Sequence, residues 1–377
     1  MNDHRKAMNG SWASFFFFVL ISWVDFGSLS AQEMPKGVVF SKHRYLPGYA
    51  FKKMAHPDIF LGNRKRRKYF EGWYFKMVSA DGTSILSVIP GISLSRNGKE
   101  QHAFIQIIDG RTAQTDYYSF PIEEFVFSKK EFAIRIGQNY FSKDKIKLEM
   151  KTDSSFVSGE ILLKNMVELP PRKILNPGIM GWYRYVPFMQ CYHGVVSLTH
   201  QTSGYLVRNG QEYRFDGGAG YIEKDWGRSM PDAWIWMQSN NFSQGNSSFM
   251  LSVANIPWLG KSFTGFLGFF LHGQTIYRFA TYTHAHLKLE NHQSDTVLLR
   301  ITDRKYNYTI EAIRNNSGLL KAPVRGSMDR RIPESIDAQI RLVVRDKKGI
   351  LIFNDSTSIA GLELVGDQET LSKKLKN

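Results

Sequence analysis

Cysteine, proline and the common enzymatic motifs are scarce or missing in this chain of 377 residues. The single cysteine, Cys191, can form no intramolecular disulfide and offers no CxxC pair for zinc or redox chemistry. No GxxxxGK[ST], HExxH or GxSxG sequence occurs, which argues against a P-loop, a zinc protease and an α/β-hydrolase. His284 and His286 have no acidic or cysteine partner nearby. We therefore predict no metal site.

Long amphipathic helical patterns are also missing, and only 13 prolines interrupt the chain. Apolar residues instead alternate with period two, as at Phe132, Ile134 and Ile136, which is typical of β-strands. Aromatic residues, which favour strands, make up 14% of the chain. Asn-Gly pairs such as Asn97-Gly98 and Asn209-Gly210 indicate hairpin turns between strands. The sequence predicts an all-β protein.

Residues 1–31 have the composition of a signal peptide. Arg5 and Lys6 precede an apolar run from Trp12 to Val24, and small residues up to Ala31 follow it. The apolar run is short for a membrane span, which needs about 20 residues. We expect export, periplasmic or secreted, with a mature chain that begins near Gln32. The alternative is an uncleaved anchor that holds the protein on a membrane.

Basic residues exceed acidic ones, and the net charge is +15. The densest cluster runs from Arg64 to Lys68. Nucleic acid and anionic lipid would both suit such a surface, but no recognised nucleic-acid-binding motif accompanies the cluster. We expect no nucleic-acid partner; a peripheral contact with anionic lipid is the partner that fits. A solvated loop ahead of a strand is the simpler interpretation.

A proline-rich stretch divides the strand pattern into two parts. It consists of Glu168–Arg172 followed by Asn176–Gly178. Each part is long enough for an eight-stranded barrel or a comparable sandwich. The predicted units are an N-terminal β domain at 36–170, a connector at 171–189, a C-terminal β domain at 190–366 and a tail at 367–377.

Two tryptophan-centred motifs suggest that the two parts arose by duplication. The EGWY segment at Glu71–Tyr74 is similar to the DAWIW segment at Asp232–Trp236, with their first tryptophans 161 positions apart. A Leu-Ser-Val segment follows each motif, at Leu86–Val88 and at Leu251–Val253, 165 positions apart. These offsets indicate a repeated unit with a four-residue insertion. Chance similarity between aromatic strands is the alternative.

Carboxylates stand beside aromatic residues in and near both motifs. The acids are Glu71, Glu223, Asp225 and Asp232, and the tryptophans are Trp73, Trp226, Trp234 and Trp236. A carboxyl group enclosed by apolar rings has a raised pKa and can deliver a proton near neutral pH, while aromatic faces stabilise a cation. This combination suits protonation of an alkene. The alternative for each acid is structural: an ion pair with Arg66 or Lys76 for Glu71, and a turn contact for Asp225.

At these residues the chain resembles the tocopherol cyclase family. The resemblance rests on HPDIFLGNRKRRKYFEGWYFK from His56, on Pro187 to Ser197, and on GAGYIEKDWGRSMPDAWIWMQSN from Gly218 to Asn240. It implies two tandem lipocalin-like β-barrel domains that hold a prenylated aromatic molecule. Family members of known function add the phenol oxygen of a prenylated hydroquinone across the first double bond of its prenyl tail. This isomerisation closes a chromanol ring and needs no cofactor.

The resemblance and the residue pattern together suggest roles for individual side chains. We expect Glu71 or Asp225 to act as the general acid, and His193 or Tyr221 to orient or deprotonate the phenol. The residues expected to bind the substrate are Trp73, Tyr74, Tyr221, Glu223, Trp226, Trp234 and Trp236. A packing role is the alternative for His193. The alternative function is a non-catalytic carrier of prenylquinones or other apolar lipids, which needs no titrating acid.

Overall fold

The computed structural model describes residues 40–41, 49, 53, 56, 58–153, 155–170, 178–187, 189–258, 260–292 and 294–375. The predicted signal peptide or anchor at residues 1–31 lies outside this range, as do residues 171–177 of the predicted connector. Strands dominate the described residues and form two large antiparallel sheets. The predicted all-β fold class is confirmed.

The first sheet contains 13 strands among the described residues. They are β1 (Phe40–Ser41), β2 (Tyr69–Val78), β3 (Ile85–Leu94), β4 (Gln101–Asp109), β5 (Thr115–Pro121), β6 (Phe125–Ser128), β7 (Ala133–Ile136), β8 (Asn139–Ser142), β9 (Lys145–Lys151), β10 (Phe156–Val167), β11 (Cys191–Arg208), β12 (Gln211–Arg214) and β13 (Gly218–Gly227). Their order is β1-β6-β7-β8-β9-β10-β11-β13-β2-β3-β4-β5, with β12 beside β11. Inward-facing residues of β2 to β13 share one apolar core, so the sheet curls into a barrel around it.

The second sheet contains 10 strands among the described residues. They are β14 (Trp234–Ser239), β15 (Ser247–Trp258), β16 (Lys261–His272), β17 (Thr275–Ala280), β18 (His286–His292), β19 (Thr296–Thr302), β20 (Tyr306–Ile313), β21 (Gly318–Val324), β22 (Ser327–Asp346) and β23 (Leu351–Val365). Their order is β17-β16-β15-β14-β23-β22-β20-β19-β18, with β21 beside β22. This sheet also encloses a core of its own, which helix α1 (Gln368–Leu375) joins through the buried Leu371.

The two sheets share a topology, which favours the predicted duplication. Apart from the short strand β1, each sheet begins with a four-strand meander, β2 to β5 or β14 to β17, and its last strand returns to pair with the first strand of that meander: β13 with β2, and β23 with β14. The Leu-Ser-Val segments occupy the second strand of each meander. The equivalent cross-strand pairs are Phe75 with Val88 in the first sheet and Ile235 with Val253 in the second. By this register, Tyr74 and not Trp73 corresponds to Trp234.

The sheets divide the chain between Gly227 and Trp234. Strands β11 and β13 complete the first sheet, because β11 pairs with β10 and β13, and β13 pairs with β2. The predicted connector at 171–189 therefore interrupts the first sheet, and the predicted division of the chain there does not coincide with the division between the sheets. The proline-rich stretch ends one strand without ending the barrel.

Among the described residues, the helices are too short or too polar to span a membrane.

A third apolar cluster lies between the two barrels, on their outward faces. In β2, Trp73 and Phe75 point into the first barrel, whereas Tyr74 and Val78 point toward the second sheet. This division follows from the two-residue period of a strand. Residues from β14, including Trp236, face β2 from the other side of the cluster. Both faces of these strands are buried, so nearly every residue of β2 is buried.

Candidate functional site

An apolar cavity opens between the two barrels, within the third cluster. The volume of this cavity is about 180 Å³. Its apolar walls come from both sheets and include Phe70, Ile89, Phe104, Met189, Ile256, Phe266, Leu320 and Ile332. Its acidic and imidazole side chains are His193, Glu223, Asp225, Glu334 and Glu363. A mainly apolar pocket with a few convergent polar groups is the usual form of a binding site for small molecules.

His193, Glu223 and Asp225 form a charged cluster on one wall. His193 in β11 and Asp225 in β13 are cross-strand partners, and Glu223 lies two residues before Asp225 on the same face. The Nδ1 atom of His193 lies 2.9 Å from Oδ1 of Asp225, and its Nε2 atom lies 3.4 Å from Oε2 of Glu223. That Nε2 atom is buried and has no hydrogen-bond partner among the described residues. A polar group of a ligand can therefore hydrogen-bond to it.

Burial and neighbouring charge set the protonation of this cluster. Burial lowers the pKa of His193, but the carboxylates of Glu223 and Asp225 raise it by more, to about 9. Burial raises the pKa of Glu223 to about 7, against the opposing effect of His193. Oε2 of Glu223 also accepts hydrogen bonds from the Tyr221 hydroxyl at 2.7 Å and from the Trp236 indole at 3.1 Å. At neutral pH the imidazole is a cation, and Glu223 can take up or release a proton.

The same three side chains are potential ligands of a metal ion. One ligand atom from each lies within 4.8 Å of the others. Imidazole and carboxylate groups are ligands that several divalent first-row metals accept. A metal would have to displace the proton of His193, which the two carboxylates stabilise. The absence of a metal from the function of this protein stays a prediction.

A second acidic group, Glu334 with Glu363, was missed by the sequence interpretation. These residues are cross-strand partners in β22 and β23. The Tyr74 hydroxyl donates to Oε1 of Glu334 at 2.7 Å, and the Trp234 indole donates to Glu363. Glu363 stands between Leu362 and Leu364 in an otherwise apolar segment. A lone acid within a buried strand was the available signal, but nothing in the sequence pairs it with Glu334.

Burial and mutual repulsion favour a protonated form of this glutamate pair. Burial and the charge of Glu363 raise the pKa of Glu334 well above its ordinary value. Burial, with the charge of Glu223 adding to it, raises the pKa of Glu363 to about 7. Two carboxyl groups in contact cannot both ionise easily, as in other acidic dyads. Lys76 lies nearby and is itself buried, with its pKa lowered to about 7 by that burial. The dyad therefore keeps a proton beside the cavity at neutral pH.

This protonation predicts how stability depends on pH. The pKa of Glu363 is higher in the folded protein than its ordinary value of 4.5, so its stabilising contribution is complete below pH 4.5. That contribution is lost as the pH rises through about 7. We expect the free energy of unfolding, measured with urea at several pH values, to fall less steeply across this window in Glu363→Gln. The exposed Glu311→Gln should keep the wild-type slope. An unchanged slope in Glu363→Gln would contradict the protonated form of this pair.

Most of the residues predicted to form the site line the cavity. They are Tyr74, His193, Glu223, Asp225, Trp234 and Trp236. Tyr221 lies directly behind the wall, where its hydroxyl donates to Glu223. The rings of Tyr74 and Trp236 meet edge to face at 5.3 Å, which joins the two sheets at the cavity. These residues belong to different sheets, so the site exists only where the barrels meet.

Three of the predicted residues, Glu71, Trp73 and Trp226, lie elsewhere. All three face the interior of the first barrel, and none lines the cavity. Trp73 stacks on Phe132 at 5.4 Å, and Trp226 stacks on Tyr192 at 5.6 Å. Their placement follows from the pleat: they occupy strand positions whose side chains point away from the second sheet. These three side chains therefore lie away from any molecule bound in the cavity.

Glu71 forms a buried ion pair instead of lining the cavity. Its Oε1 atom lies 2.5 Å from Nζ of Lys224, and both side chains are fully buried. The Glu71 carboxylate also accepts hydrogen bonds from the amides of Leu61 and Gly62 and from the Tyr69 hydroxyl. Neither Arg66 nor Lys76, the partners expected from the sequence, takes this place. Among the described residues, these contacts of Glu71 belong to the first barrel and lie away from the cavity.

Comparison with known sequences agrees with the resemblance found in the sequence. The family model described as tocopherol cyclase-like matches residues 163–366 of this chain. A probable chloroplastic tocopherol cyclase of rice (Oryza sativa subsp. japonica) is 23% identical over 207 residues, which are 49% of this chain and 42% of the rice protein. A chloroplastic tocopherol cyclase of maize (Zea mays) is 27% identical over 74 residues, 20% of this chain and 16% of the maize protein. The chain thus spans less than half the length of these relatives.

Two solved structures align with most of this chain. CghA with Sch210972 has a TM-score of 0.49 and 10% identity, over 79% of this chain and 89% of CghA. A putative AttH from Nitrosomonas europaea has a TM-score of 0.49 and 12% identity, over 86% of this chain and 98% of that one.

Proposed function

Because the chain belongs to the tocopherol cyclase-like family, we propose that its inter-barrel cavity binds a prenylated hydroquinone and closes a chromanol ring. The observation that carries this proposal is the pairing of two proton-carrying groups on the walls of one apolar, aromatic cavity. One is the cluster of His193, Glu223 and Asp225, and the other is the dyad of Glu334 and Glu363. Adding a phenol to an alkene needs both a proton donor and a proton acceptor.

The charged cluster suits the phenol. The Nε2 atom of His193, which makes no hydrogen bond to a described residue, can donate one to the phenol oxygen, which holds the ring in place. Oε2 of Glu223 lies 3.4 Å from that nitrogen and can accept the phenol proton. Tyr221 and Trp236 fix the Glu223 carboxylate by donating to it. Asp225 holds His193 through Nδ1 and thereby sets the direction of Nε2. Asp225 is thus a positioning residue, whereas His193 and Glu223 contact the substrate.

The dyad suits the alkene. Glu334 gives its proton to the less substituted carbon of the double bond, so a C–H bond forms and a tertiary carbocation develops. The rings of Tyr74 and Trp236 and the new carboxylate of Glu334 stabilise that positive charge. The phenol oxygen then bonds to the cation as its proton passes to Glu223. Return of that proton to the dyad restores both groups, and no atom is gained or lost overall.

The cavity is small relative to a long prenyl tail. Pockets that enclose a drug-sized ligand whole usually measure about 300–1,000 Å³. We infer that the ring and the first prenyl unit occupy the cavity and that the rest of the tail leaves through its mouth. The chemistry then depends on the headgroup and the first double bond, and tolerates tails of different length.

We expect purified protein incubated with a prenylated hydroquinone to produce the chromanol, detected by liquid chromatography and mass spectrometry. The O-methyl ether of the reacting phenol is the matched control: it keeps the shape of the substrate but has no proton to pass to Glu223, so no chromanol should form. A substrate with a shorter prenyl tail should be converted at a similar kcat.

The carrier alternative gives a different result in the same experiment. A carrier would retain the hydroquinone unchanged, as seen by native mass spectrometry, and Glu223→Gln would leave retention intact. Binding without chromanol formation would contradict the cyclase proposal. The buried acids favour catalysis, because desolvating titratable groups in an apolar cavity is costly and brings a mere carrier no benefit.

A further inference from the structure

A basic groove adjoins the cavity. Met230 lines both the cavity and the groove. Strand β15 connects them as well: Ile256 contacts the cavity, and Trp258 at the end of the strand lines the groove. Any apolar molecule that enters the cavity by this path passes the groove.

Four chain segments that contain basic side chains line the groove. Gly326, at φ +89°, approaches so closely that a Cβ atom there would meet the Leu94 carbonyl and the backbone of Lys68 and Tyr69. Only glycine can be accommodated at so short a distance. Gly326 therefore allows the turn before β22 to pack against the end of the basic cluster. The Gly326 amide also donates to the Arg228 carbonyl at 2.8 Å. The cations that line the groove are Lys68, Arg228, Lys261, Arg325 and Arg330, and its only acid among the described residues is Asp232.

The basic cluster found in the sequence continues this groove. Residues 64–68 are all exposed, and Lys68 is both the last of them and part of the groove lining. Exposed apolar side chains stand among the cations: Trp258 is 42% exposed and Val324 is 41% exposed. Both line the groove. A surface that mixes cations with an exposed tryptophan matches the interface of a bilayer, where tryptophan favours the headgroup level and lysine and arginine favour anionic lipid.

We propose that this groove docks the protein on an anionic lipid bilayer, with Trp258 entering the headgroup layer and the cavity mouth facing the lipid. The apolar cavity behind the groove distinguishes a bilayer from nucleic acid as the partner: a polybasic nucleic-acid site has no need of an adjoining apolar cavity. Docking in this orientation lets an apolar molecule move between the bilayer and the cavity without crossing water. The inference does not depend on whether that molecule is converted or only carried.

Cosedimentation of the full chain with vesicles tests the docking. Wild-type protein should bind vesicles of phosphatidylcholine with phosphatidylglycerol and bind pure phosphatidylcholine weakly, and added salt should release it. Each cation near an anionic surface contributes roughly a fivefold effect on partitioning. Lys261→Gln with Arg325→Asn should therefore weaken binding by about 25-fold. Asparagine is chosen because Arg325 has φ +50°, which asparagine tolerates.

The control pair is Lys151→Gln with Lys348→Gln, which removes two exposed cations outside the groove. This pair should change vesicle binding by less than about twofold. Equal losses in both double variants would show that the overall charge of +15 and not the groove drives binding. Equal binding to neutral and anionic vesicles would also overturn the proposal. So would tight binding to a DNA duplex, by fluorescence anisotropy, that the groove variant loses while its vesicle binding persists.

Trp258→Ser gives a second, charge-independent test. Intrinsic fluorescence of the wild type should shift to the blue on addition of anionic vesicles, as the exposed indole enters a less polar layer. The variant should lack most of that shift and bind about tenfold more weakly, because a buried tryptophan contributes a large apolar area. Trp182, which is 51% exposed and does not line the groove, supplies the control variant Trp182→Ser. A shift that depends on Trp182 and not on Trp258 would place the contact elsewhere.

Discussion

Glu334→Gln is expected to lower kcat for chromanol formation by about 10²- to 10⁴-fold. Glutamine has nearly the same shape and can still accept the hydrogen bond that Tyr74 donates to Oε1. It cannot release a proton to the alkene. Binding of the hydroquinone, measured by quenching of tryptophan fluorescence, should change by no more than a few-fold. A variant that binds and turns over like wild type would remove Glu334 from the mechanism.

The variant Glu363→Gln tests whether Glu363 acts on the reaction by raising the pKa of Glu334, the proton donor. The charge of Glu363 helps to keep the pKa of Glu334 high, so its loss should lower that pKa. We expect activity to persist but its alkaline limb, which falls as pH rises, to move to lower pH. A purely structural role for Glu363 would lower activity equally at all pH values. The pH profile of kcat/KM therefore distinguishes a positioning role from a packing role.

Lys224→Met is expected to destabilise the protein by about 3–5 kcal/mol. The substitution removes the cation that lies 2.5 Å from Glu71 and leaves a carboxylate without its partner in the core of the first barrel. The pKa of Lys224 is lowered to about 8 by burial, against the raising effect of Glu71, so the pair is also sensitive to alkaline pH. Urea unfolding at neutral pH measures the loss. Methionine keeps a similar length, which limits the cavity left behind.

The double variant Glu71→Gln with Lys224→Met should recover a large part of this loss, because no uncompensated charge then remains. Glu71→Gln alone should also reduce stability, and kcat for the folded fraction should stay close to wild type. This differs from what the sequence suggests, where Glu71 is a candidate acid. A large fall in kcat for Glu71→Gln at unchanged stability would return Glu71 to the reaction.

The contrast between Glu71 and Glu223 shows how one strand position changes the role of a residue. Both are buried acids in aromatic strands, and β2 and β13 pair with each other. Glu71 points into the first barrel and meets Lys224, whereas Glu223 points outward and meets His193. Successive side chains of a strand alternate between its faces, so the period alone gives two equally good assignments. Which face meets the second barrel depends on how the barrels pack.

The repeated tryptophan motif shows the same limit. The sequence motifs align Trp73 with Trp234, but the strand register of the two sheets makes Tyr74 the residue equivalent to Trp234. A shift of one residue moves every side chain to the opposite face. Trp73 consequently packs in a barrel core, and Tyr74 carries the hydroxyl that binds Glu334. The similarity of the motifs is a property of sequence, but the equivalence of their residues is a property of hydrogen-bonded pairing.

The sequence by itself determined the fold class, the family and the segments around the site, because alternation of apolar residues, turn pairs and long motifs are local properties. His193, Glu223 and Asp225 were also within its reach, since β11 and β13 lie close together in the chain and pair directly. Only the tertiary structure decided that the cavity lies between the barrels and that Glu334 and Glu363 face it, while Glu71, Trp73 and Trp226 do not. Glu334 meets Tyr74 across 260 positions of sequence. Contacts over such separations arise from the packing of one barrel on the other, which no local pattern encodes.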